Sequence, residues 1–352
     1  MNYKLTVLTP TLVGDGQRLS PIDYMVWKDQ INVLDQKRIF RLLAKGPRLE
    51  GYLAQIKKAD KLDFASWGGF AQNFAGRRIG FEHPSSTSVW EQARTEHLHI
   101  PTFCSGPSGA YLPGSALKGA LRTGLASVRW NIGVVREIAN RMEGDRAPRK
   151  PGESAELMTF GPSGNDPMKN LATSDSDVVP FSVFKIYLVR VARLEPRNNK
   201  PELTWKPSGP LFAEMATPGT IFQGHVSLRD QHAVQNICKA ANQHALQMIQ
   251  AHRTYAEQAA LPKVLETLAS LEKTVASAGN RACVVDLGWG GGFLSKAGFL
   301  DTENPEYRRI LKQLPFYAKS IRQGVAFPKT RHVVFQANQP ASLPGWALFE
   351  LA

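Results

Sequence analysis

The sequence predicts an α+β fold in which two related units share one chain. Strand-like and helix-like segments occur in both halves, as blocks of strand, helix and strand, without the regular alternation of a doubly wound parallel sheet. With 352 residues, 43% of them hydrophobic, the chain is long enough for two cores. We expect units over residues 1–190, with an insertion near 60–107, and 191–352, with a helical segment over 230–280 and a glycine-rich loop over 288–298.

Local patterns predict the elements in chain order. Residues 3–9 alternate apolar and polar side chains and stop at Pro10, which is typical of a short strand. From residue 115 to 142 apolar side chains recur every three or four positions, which indicates one helix face, and Ser115 is the predicted N-cap. The other predicted elements are a hairpin over 24–34, a helix from 35, a loop over 144–177, strands over 178–194 and 220–228, helices over 230–278 and a strand over 346–351.

The net charge of +13 is concentrated in two stretches. Residues 111–150 hold eight Lys or Arg and three acids, a net +5, and residues 308–331 hold seven Lys or Arg and no acid, a net +7. A generally basic surface would not be so uneven. Two local sites for a polyanion are therefore predicted, with nucleic acid the first choice of partner and an anionic membrane surface the second.

Cysteine use and hydropathy favour a soluble, cytoplasmic protein. Cys104, Cys238 and Cys283 are far apart and form no CxxC pair, so neither a disulfide framework nor a zinc ribbon is expected. No uninterrupted apolar run of about eighteen residues occurs, and the first residues lack the pattern of a signal peptide. We expect no membrane association.

A Pro-Gly-Ser turn opens the predicted helix at residue 115. Such a turn exposes backbone N–H groups where the helix dipole favours a phosphate. Lys118 and Arg122 follow one turn apart, and Arg129 falls on the same side of the helix. Gly114, Ser115, Lys118, Arg122 and Arg129 are therefore candidate contacts to a nucleic-acid backbone, with a solvated helix edge as the alternative.

A glycine-rich loop follows residue 287. It lacks the GxxxxGK[ST] and GxGxxG patterns, so a mononucleotide or dinucleotide site is not expected. Glycines instead allow a polymer backbone to approach closely, although a tight turn alone would also use them. A third segment, residues 327–331, adds Lys329 and Arg331, which could instead pair with acids of a neighbouring subunit. The candidates in the loop are Gly288, Gly290, Gly291, Gly292 and Lys296.

These segments together resemble the RAMP superfamily of CRISPR effector complexes. Residues 111–122 are similar to the superfamily's "PGSSLKGALR" helix start, and residues 288–299 to its glycine-rich loop. The order of segments resembles one branch, the fifth Csm subunit of type III-A complexes, whose opening is similar to residues 8–24 and whose central loop is similar to 166–176. Residues 60–107 and 230–280 match no segment that we can name.

The resemblance implies two ferredoxin-like (RRM-like) RAMP units with helical insertions. It also implies binding to CRISPR RNA and target RNA, and a position that caps the 3′ end of the guide. The implied protein partners are the backbone RAMP subunit and the small subunit of a Csm complex. No catalysis, metal or other cofactor is implied.

Two other functions stay open from the sequence. An aspartate in the matching early loop serves metal-dependent RNA cleavage in the related backbone subunit, so Asp23 is the candidate catalytic residue of a RAMP endoribonuclease, although a lone loop aspartate is more often a turn residue. His97, His99 and Cys104 form a loose cluster for which zinc is a weaker alternative. An assembly subunit that touches no RNA is the third hypothesis.

Overall fold

A computed structural model describes residues 1–44, 46–58, 74–144, 150–198, 200–207, 209–229, 231–321 and 324–351. The α-helices in these ranges are α1 (Gln36–Leu43), α2 (Arg48–Lys58), α3 (Ser85–Gln92), α4 (Gly114–Arg129), α5 (Ile132–Glu143), α6 (Pro151–Phe160), α7 (Gln231–Gln258), α8 (Pro262–Ser277), α9 (Pro305–Gln313) and α10 (Pro315–Ala318). Short 3₁₀ helices lie at Thr95–His97, Ser163–Asn165, Pro167–Asn170, Phe181–Val183 and Leu294–Lys296.

The strands of the described ranges are antiparallel to their neighbours within each sheet. They are β1 (Asn2–Val7), β2 (Arg18–Leu19), β3 (Tyr24–Trp27), β4 (Gln30–Leu34), β5 (Ala75–Gly80), β6 (Ile100–Pro101), β7 (Ser105–Gly106), β8 (Gly109–Ala110), β9 (Leu171–Thr173), β10 (Phe184–Arg197), β11 (Lys200–Trp205), β12 (Leu211–Ala216), β13 (Ile221–Leu228), β14 (Ala282–Asp286), β15 (Thr330–Gln336), β16 (Gln339–Ser342) and β17 (Trp346–Leu351).

The first large sheet has the strand order β14-β17-β1-β13-β9. Along the chain, β1, α4, β9, β13 and α7 follow in the strand, helix, strand, strand, helix order of a ferredoxin-like unit. β1 alternates as the sequence predicts, because Tyr3, Leu5 and Val7 are buried while the residues between them are only half-buried. This sheet and the helices α4 and α7 enclose one core.

The second large sheet is centred on β10. One edge of this strand pairs with β15, and the other edge pairs first with β12 and then with β11. Helices α7 and α8 cover the sheet and share a second core with it. The three-stranded sheet β3-β4-β5 is joined to β10 by a bridge between Phe81 and Ile186.

The helix predicted over residues 115–142 is two helices. Its periodicity is correct, because Leu117, Leu121 and Leu125 are buried on one face of α4. The helix nevertheless ends at Arg129, since the Asn131 side chain accepts a hydrogen bond from the Val134 N–H (3.1 Å) and starts α5 as an N-cap. The N-cap of α4 is the proline at 113 rather than Ser115, which lies within the first turn.

Other predicted elements are confirmed with shifted bounds. The predicted strand over 220–228 is β13, and the helices over 230–278 are α7 and α8, which begins at Pro262. The predicted loop over 144–177 contains α6 and β9, and its residues 145–149 lie outside the described residues. Within the described part of the chain, no helix is long and apolar enough to cross a membrane.

The predicted insertion near 60–107 is described only from residue 74 onwards. The division into units 1–190 and 191–352 stays a prediction. Residue 190 lies inside β10, and the first sheet combines β1 and β9 with three strands from the second half of the chain. The α+β class is as predicted.

Candidate nucleic-acid interface

The start of α4 packs tightly against the segment that follows β9. The Gly114 N–H donates to Oδ1 of Asp175 (2.9 Å), and the Gly114 carbonyl accepts from the Thr173 hydroxyl (2.8 Å). A Cβ at Gly114 would collide with the carbonyl oxygens of Thr173 and Ser174. Gly114 is therefore required by packing, and Ser115, the next residue, is exposed.

Lys118, Arg122 and Arg129 form a basic stripe on α4, and their side chains contact other groups of the same chain. Lys118 Nζ donates to the backbone oxygen of Leu171 (2.7 Å). Arg122 pairs with Glu156 (2.6 Å) and more loosely with Asp166 (3.4 Å). These pairs are partly exposed, and exposed ion pairs contribute little stability, so a polyanion could displace them.

Two further contacts orient the arginine side chains of this stripe. The Arg122 guanidinium lies 4.2 Å from the centre of the Phe160 ring, and Arg129 donates to the backbone oxygen of Thr159 (3.4 Å). Both arginines thus lean towards α6. The structure places Lys118, Arg122 and Arg129 together on one flank of α4, as predicted, but against acceptors of the chain itself.

The glycine-rich loop is shaped by packing as well as by turn geometry. Gly288, Gly290 and Gly292 have φ angles of +85°, +98° and +71°, a region that favours glycine. A Cβ at Gly288 would collide with the backbone oxygen of Leu12, and one at Gly290 would lie 2.6 Å from the Pro344 ring. The loop is therefore held against two neighbouring segments.

The helix start and the glycine-rich loop meet at one cleft of about 260 Å³. Ser115 and Thr123 of α4 line one wall, and Gly288 and Lys296 line the other. Lys296 is exposed, at the end of a 3₁₀ helix. Two motifs that are far apart in the sequence thus contribute to a single surface that carries a hydroxyl, an ammonium group and close-packed backbone.

Asp286, the last residue of β14, also lines this cleft, and sequence reasoning missed it. The residue is 5% exposed, and neither carboxylate oxygen has a hydrogen-bond partner among the described residues. Burial raises the pKa of Asp286 to about 8, and the nearby charge of Lys296 lowers it only in part. The sequence offers one signal that Asp286 is buried, because this acid directly follows the apolar run over 282–285.

His244 of α7 is a second buried polar group that the sequence did not single out. A small cavity of about 10 Å³ lies between His244 and Asp286, with Ser295 on its wall. Both ring nitrogens of His244 lack partners within the described residues. Burial lowers the pKa of His244 to about 4, so the ring is neutral at physiological pH.

The segment at 327–331 does not join the cleft. Lys329 Nζ lies 3.5 Å from a carboxylate oxygen of Glu195. Arg331 is 6% exposed, its Nε donates to Nδ1 of His252 (2.9 Å), and burial lowers its pKa to about 10. The guanidinium also lies 4.5 Å from the centre of the Tyr255 ring. Arg331 presents no exposed charge to RNA, so we remove it from the candidate interface.

The second basic stretch is partly neutralised. Arg309 of α9 pairs with Glu143 of α5 and with Glu306, and Arg308 pairs with Glu303. These acids lie outside residues 308–331, which is why the stretch looked uncompensated in the sequence. Lys312 and Lys319 are exposed.

Asp23 is held in a turn. Its Oδ2 accepts hydrogen bonds from the Ser20 N–H (2.7 Å) and the Ser20 hydroxyl (2.5 Å). Of the loose zinc cluster, Cys104 is buried and His97 lies 3.3 Å from Glu96. Among the described residues, no group of three or more His, Cys, Asp or Glu side chains is placed to hold a metal ion.

A family profile described as the RAMP superfamily matches residues 4–295. The chain belongs to the RAMP superfamily. The predicted resemblance to this superfamily is confirmed by the match, which includes the helix start of α4 and the glycines of the glycine-rich loop.

Two solved structures resemble the chain over its whole length. One is a chain of the cryo-EM structure of a Csm–crRNA–target RNA ternary complex of a type III-A CRISPR-Cas system, with a TM-score of 0.69, 22% identity and coverage of 99% of this chain and 100% of that one. The other is the crystal structure of T. onnurineus Csm5, with a TM-score of 0.66, 18% identity and the same coverage. At these identities the likeness shows the fold. No curated protein matches the sequence.

Proposed function

We propose that the chain is an RNA-binding, non-catalytic subunit of a type III-A CRISPR effector complex, and that it caps the 3′ end of the guide RNA. The observation that carries the proposal is the cleft where Ser115, Gly288 and Lys296 come together. Membership of the RAMP superfamily and the likeness to T. onnurineus Csm5 support it.

The cleft has the chemistry to hold a ribose-phosphate backbone. Lys296 supplies an exposed positive charge, and Ser115 supplies a hydroxyl in the first turn of α4, where the helix dipole favours an anion. Gly288 contributes backbone to the opposite wall of the cleft. Such contacts are independent of sequence and weaken with salt.

The remaining predicted contacts flank this cleft. Gly290, Gly291 and Gly292 continue the loop, and we place Lys118, Arg122 and Arg129 beside the path of the RNA on α4. Lys329 is a weaker candidate because Glu195 accompanies it. Guide RNA, target RNA, the backbone RAMP subunit and the small subunit are the proposed partners, and the cytoplasm is the proposed location.

The non-catalytic assignment rests on Asp23, the one catalytic candidate of the sequence. Its carboxylate is already engaged by both polar hydrogens of Ser20, which matches the role of a turn residue. We propose that no cofactor is required. A RAMP endoribonuclease would need a different acid or base.

Charge reversal at the cleft tests the proposal. Lys296→Glu should weaken binding of single-stranded RNA by about tenfold or more, because a phosphate contact is lost. The slope of the logarithm of the binding constant against the logarithm of the salt concentration should become shallower by about one. Lys273→Glu on α8 is the matched control, since Lys273 is exposed and lies outside the cleft. Fluorescence anisotropy over a salt series measures both quantities. Equal losses in the two variants would contradict the proposal.

Purification from cells separates the three functions. We expect guide RNA and other effector subunits to co-purify with the chain and Lys296→Glu to reduce the guide RNA recovered. Specific cleavage of precursor RNA that is blocked by a chelator or lost in Asp23→Ala would favour the endoribonuclease. Retention of partner subunits without any guide RNA would favour the assembly subunit.

A further inference from the structure

We propose that a cavity of about 690 Å³ between the end of α4, α7 and residues 298–303 binds one unstacked base of the RNA that lies in the cleft. The inference rests on the proposed function and deepens it, because it assigns a nucleobase to a pocket and phosphates to the neighbouring cleft. It adds a base-binding site to a surface that otherwise grips only the RNA backbone.

The pocket has the mixed lining that a nucleobase needs. Trp130 and Phe299, both half-buried, provide aromatic surface for stacking. Gln247 and Gln250 on the exposed side of α7 provide amides that both donate and accept hydrogen bonds. An all-aliphatic lining would fit an apolar peptide side chain better, whereas aromatic faces beside amides fit a planar polar ring.

The pocket continues the cleft along one face of α4. The residues of α4 and its C-cap that line the cleft and the pocket lie in two adjacent rows with steps of three or four positions, so they form a single stripe. The stripe is about 20 Å long at 1.5 Å per residue. From the cleft to the pocket it consists of Ser115, Ala116, Gly119, Ala120, Thr123, Ser127 and Trp130.

The opposite walls of the cleft and the pocket come from neighbouring stretches of the chain. Residues 286–288 and 295–296 face the first part of the stripe, and residues 298–303 face the second part. The same two stretches of the chain thus border the cleft at one end and the pocket at the other, and we place the RNA strand along them, from Ser115 and Lys296 towards Trp130. This arrangement favours RNA over a protein segment as the occupant.

The cleft and the pocket carry exposed side chains of opposite charge. Lys296 lies at the cleft, whereas Asp301 and Glu303 are exposed at the pocket. Glu303 is paired with Arg308 (2.5 Å), but the Asp301 carboxylate accepts only the backbone N–H of Glu303 (3.2 Å) among the bonds found within the described residues. A carboxylate repels phosphate and accepts hydrogen bonds from exocyclic amines, so the pocket favours a base such as cytosine over uracil.

Abasic substitution tests the inference with the full-length chain. The probe is a short single-stranded RNA and a series in which each base in turn is replaced by an abasic site. One or two adjacent positions should lose about tenfold in affinity when the base is absent, the scale of stacking one base on an aromatic side chain. Cytosine should bind better than uracil at that position, and Asp301→Ala should remove the preference.

Pocket variants then connect that position to the cavity. Trp130→Ala should weaken the intact RNA and abolish the cost of the abasic site. The double variant Gln247→Ala with Gln250→Ala should do the same in part, and it guards against a folding defect because both residues are exposed. Gln235→Ala is the control, an exposed glutamine on the same helix about 20 Å away.

The outcomes distinguish this inference from the proposed function. RNA binding that depends on Lys296 but ignores every abasic position, or keeps its abasic sensitivity in both pocket variants, would overturn the inference alone. The same holds if the pocket variants bind RNA normally but lose another effector subunit, since the cavity would then serve a protein. RNA binding that is absent or independent of Lys296 would overturn both.

Discussion

Asp286 makes the stability of the fold depend on pH between about pH 4 and pH 8. Its carboxylate is buried at the end of β14 without a partner in the described part of the chain, and its pKa is raised to about 8. An unfolded aspartate has a pKa near 4, so the folded state holds the extra proton between about pH 4 and pH 8. The stabilisation is complete below that range and is lost as the pH rises through about 8.

His244, across the small cavity, acts in the opposite direction at lower pH. Its folded pKa of about 4 lies below the usual 6.5, so the unfolded state binds the extra proton and stability rises with pH between these values. Above pH 6.5 this contribution is constant. The window from pH 6.5 to 8 therefore separates the effect of Asp286 from that of His244.

Across that window the free energy of unfolding should fall by about 1.4 kcal/mol per pH unit, or roughly 2 kcal/mol in total. Asp286→Asn keeps the shape of the side chain and removes the ionisation, so its stability should lack this decrease. Urea titrations at four pH values, followed by tryptophan fluorescence, measure the difference between the two proteins. Trp346 pairs directly with Asp286 in the sheet and is a nearby reporter. Parallel pH profiles for the two proteins would refute the reasoning.

Four other substitutions have defined expectations. Gly119→Ala has open space around the new methyl group and should raise the free energy of unfolding by up to about 1 kcal/mol. Gly124→Ala would place a Cβ 2.7 Å from Cα of Ala241 and should lower the free energy of unfolding. Urea denaturation of the two variants tests whether their stabilities change in opposite directions. Arg331→Met should lower the unfolding free energy by about 1–3 kcal/mol because a buried hydrogen-bond network loses its donor, and RNA affinity measured by anisotropy should stay unchanged. Asp23→Ala should cost roughly 1 kcal/mol in thermal unfolding, through the lost turn bonds, and a gel assay with precursor RNA should show no change in RNA cleavage.

The local elements were predictable wherever a periodic pattern is buried on one side. Leu117, Leu121 and Leu125 indicate the face of α4 that packs on the core. The break between α4 and α5 was missed because apolar periodicity continues across it, and only the capping side chain of Asn131 marks it. Short-range patterns therefore find helices more readily than the points where they end.

The candidate site was predictable in its parts but not in its arrangement. The sequence indicated both Ser115 and Lys296, yet their meeting at one cleft depends on pairing across the whole chain. Counting charges also failed at Arg331, because a count does not distinguish surface from interior. Arg331 lies on the same buried face of β15 as Val333 and Phe335. The alternation of this strand was therefore the sequence signal for the burial of Arg331.

The position of β17 between β1 and β14 constrains how the protein is made. Tyr3 pairs with Leu351, so an inner strand of the first sheet leaves the ribosome after every other strand of that sheet. Until it arrives, β1 and β14 each present an open edge, the kind of surface that recruits foreign strands. During synthesis the first sheet should therefore be exposed to misassembly for a long time, until β17 pairs with β1 and β14.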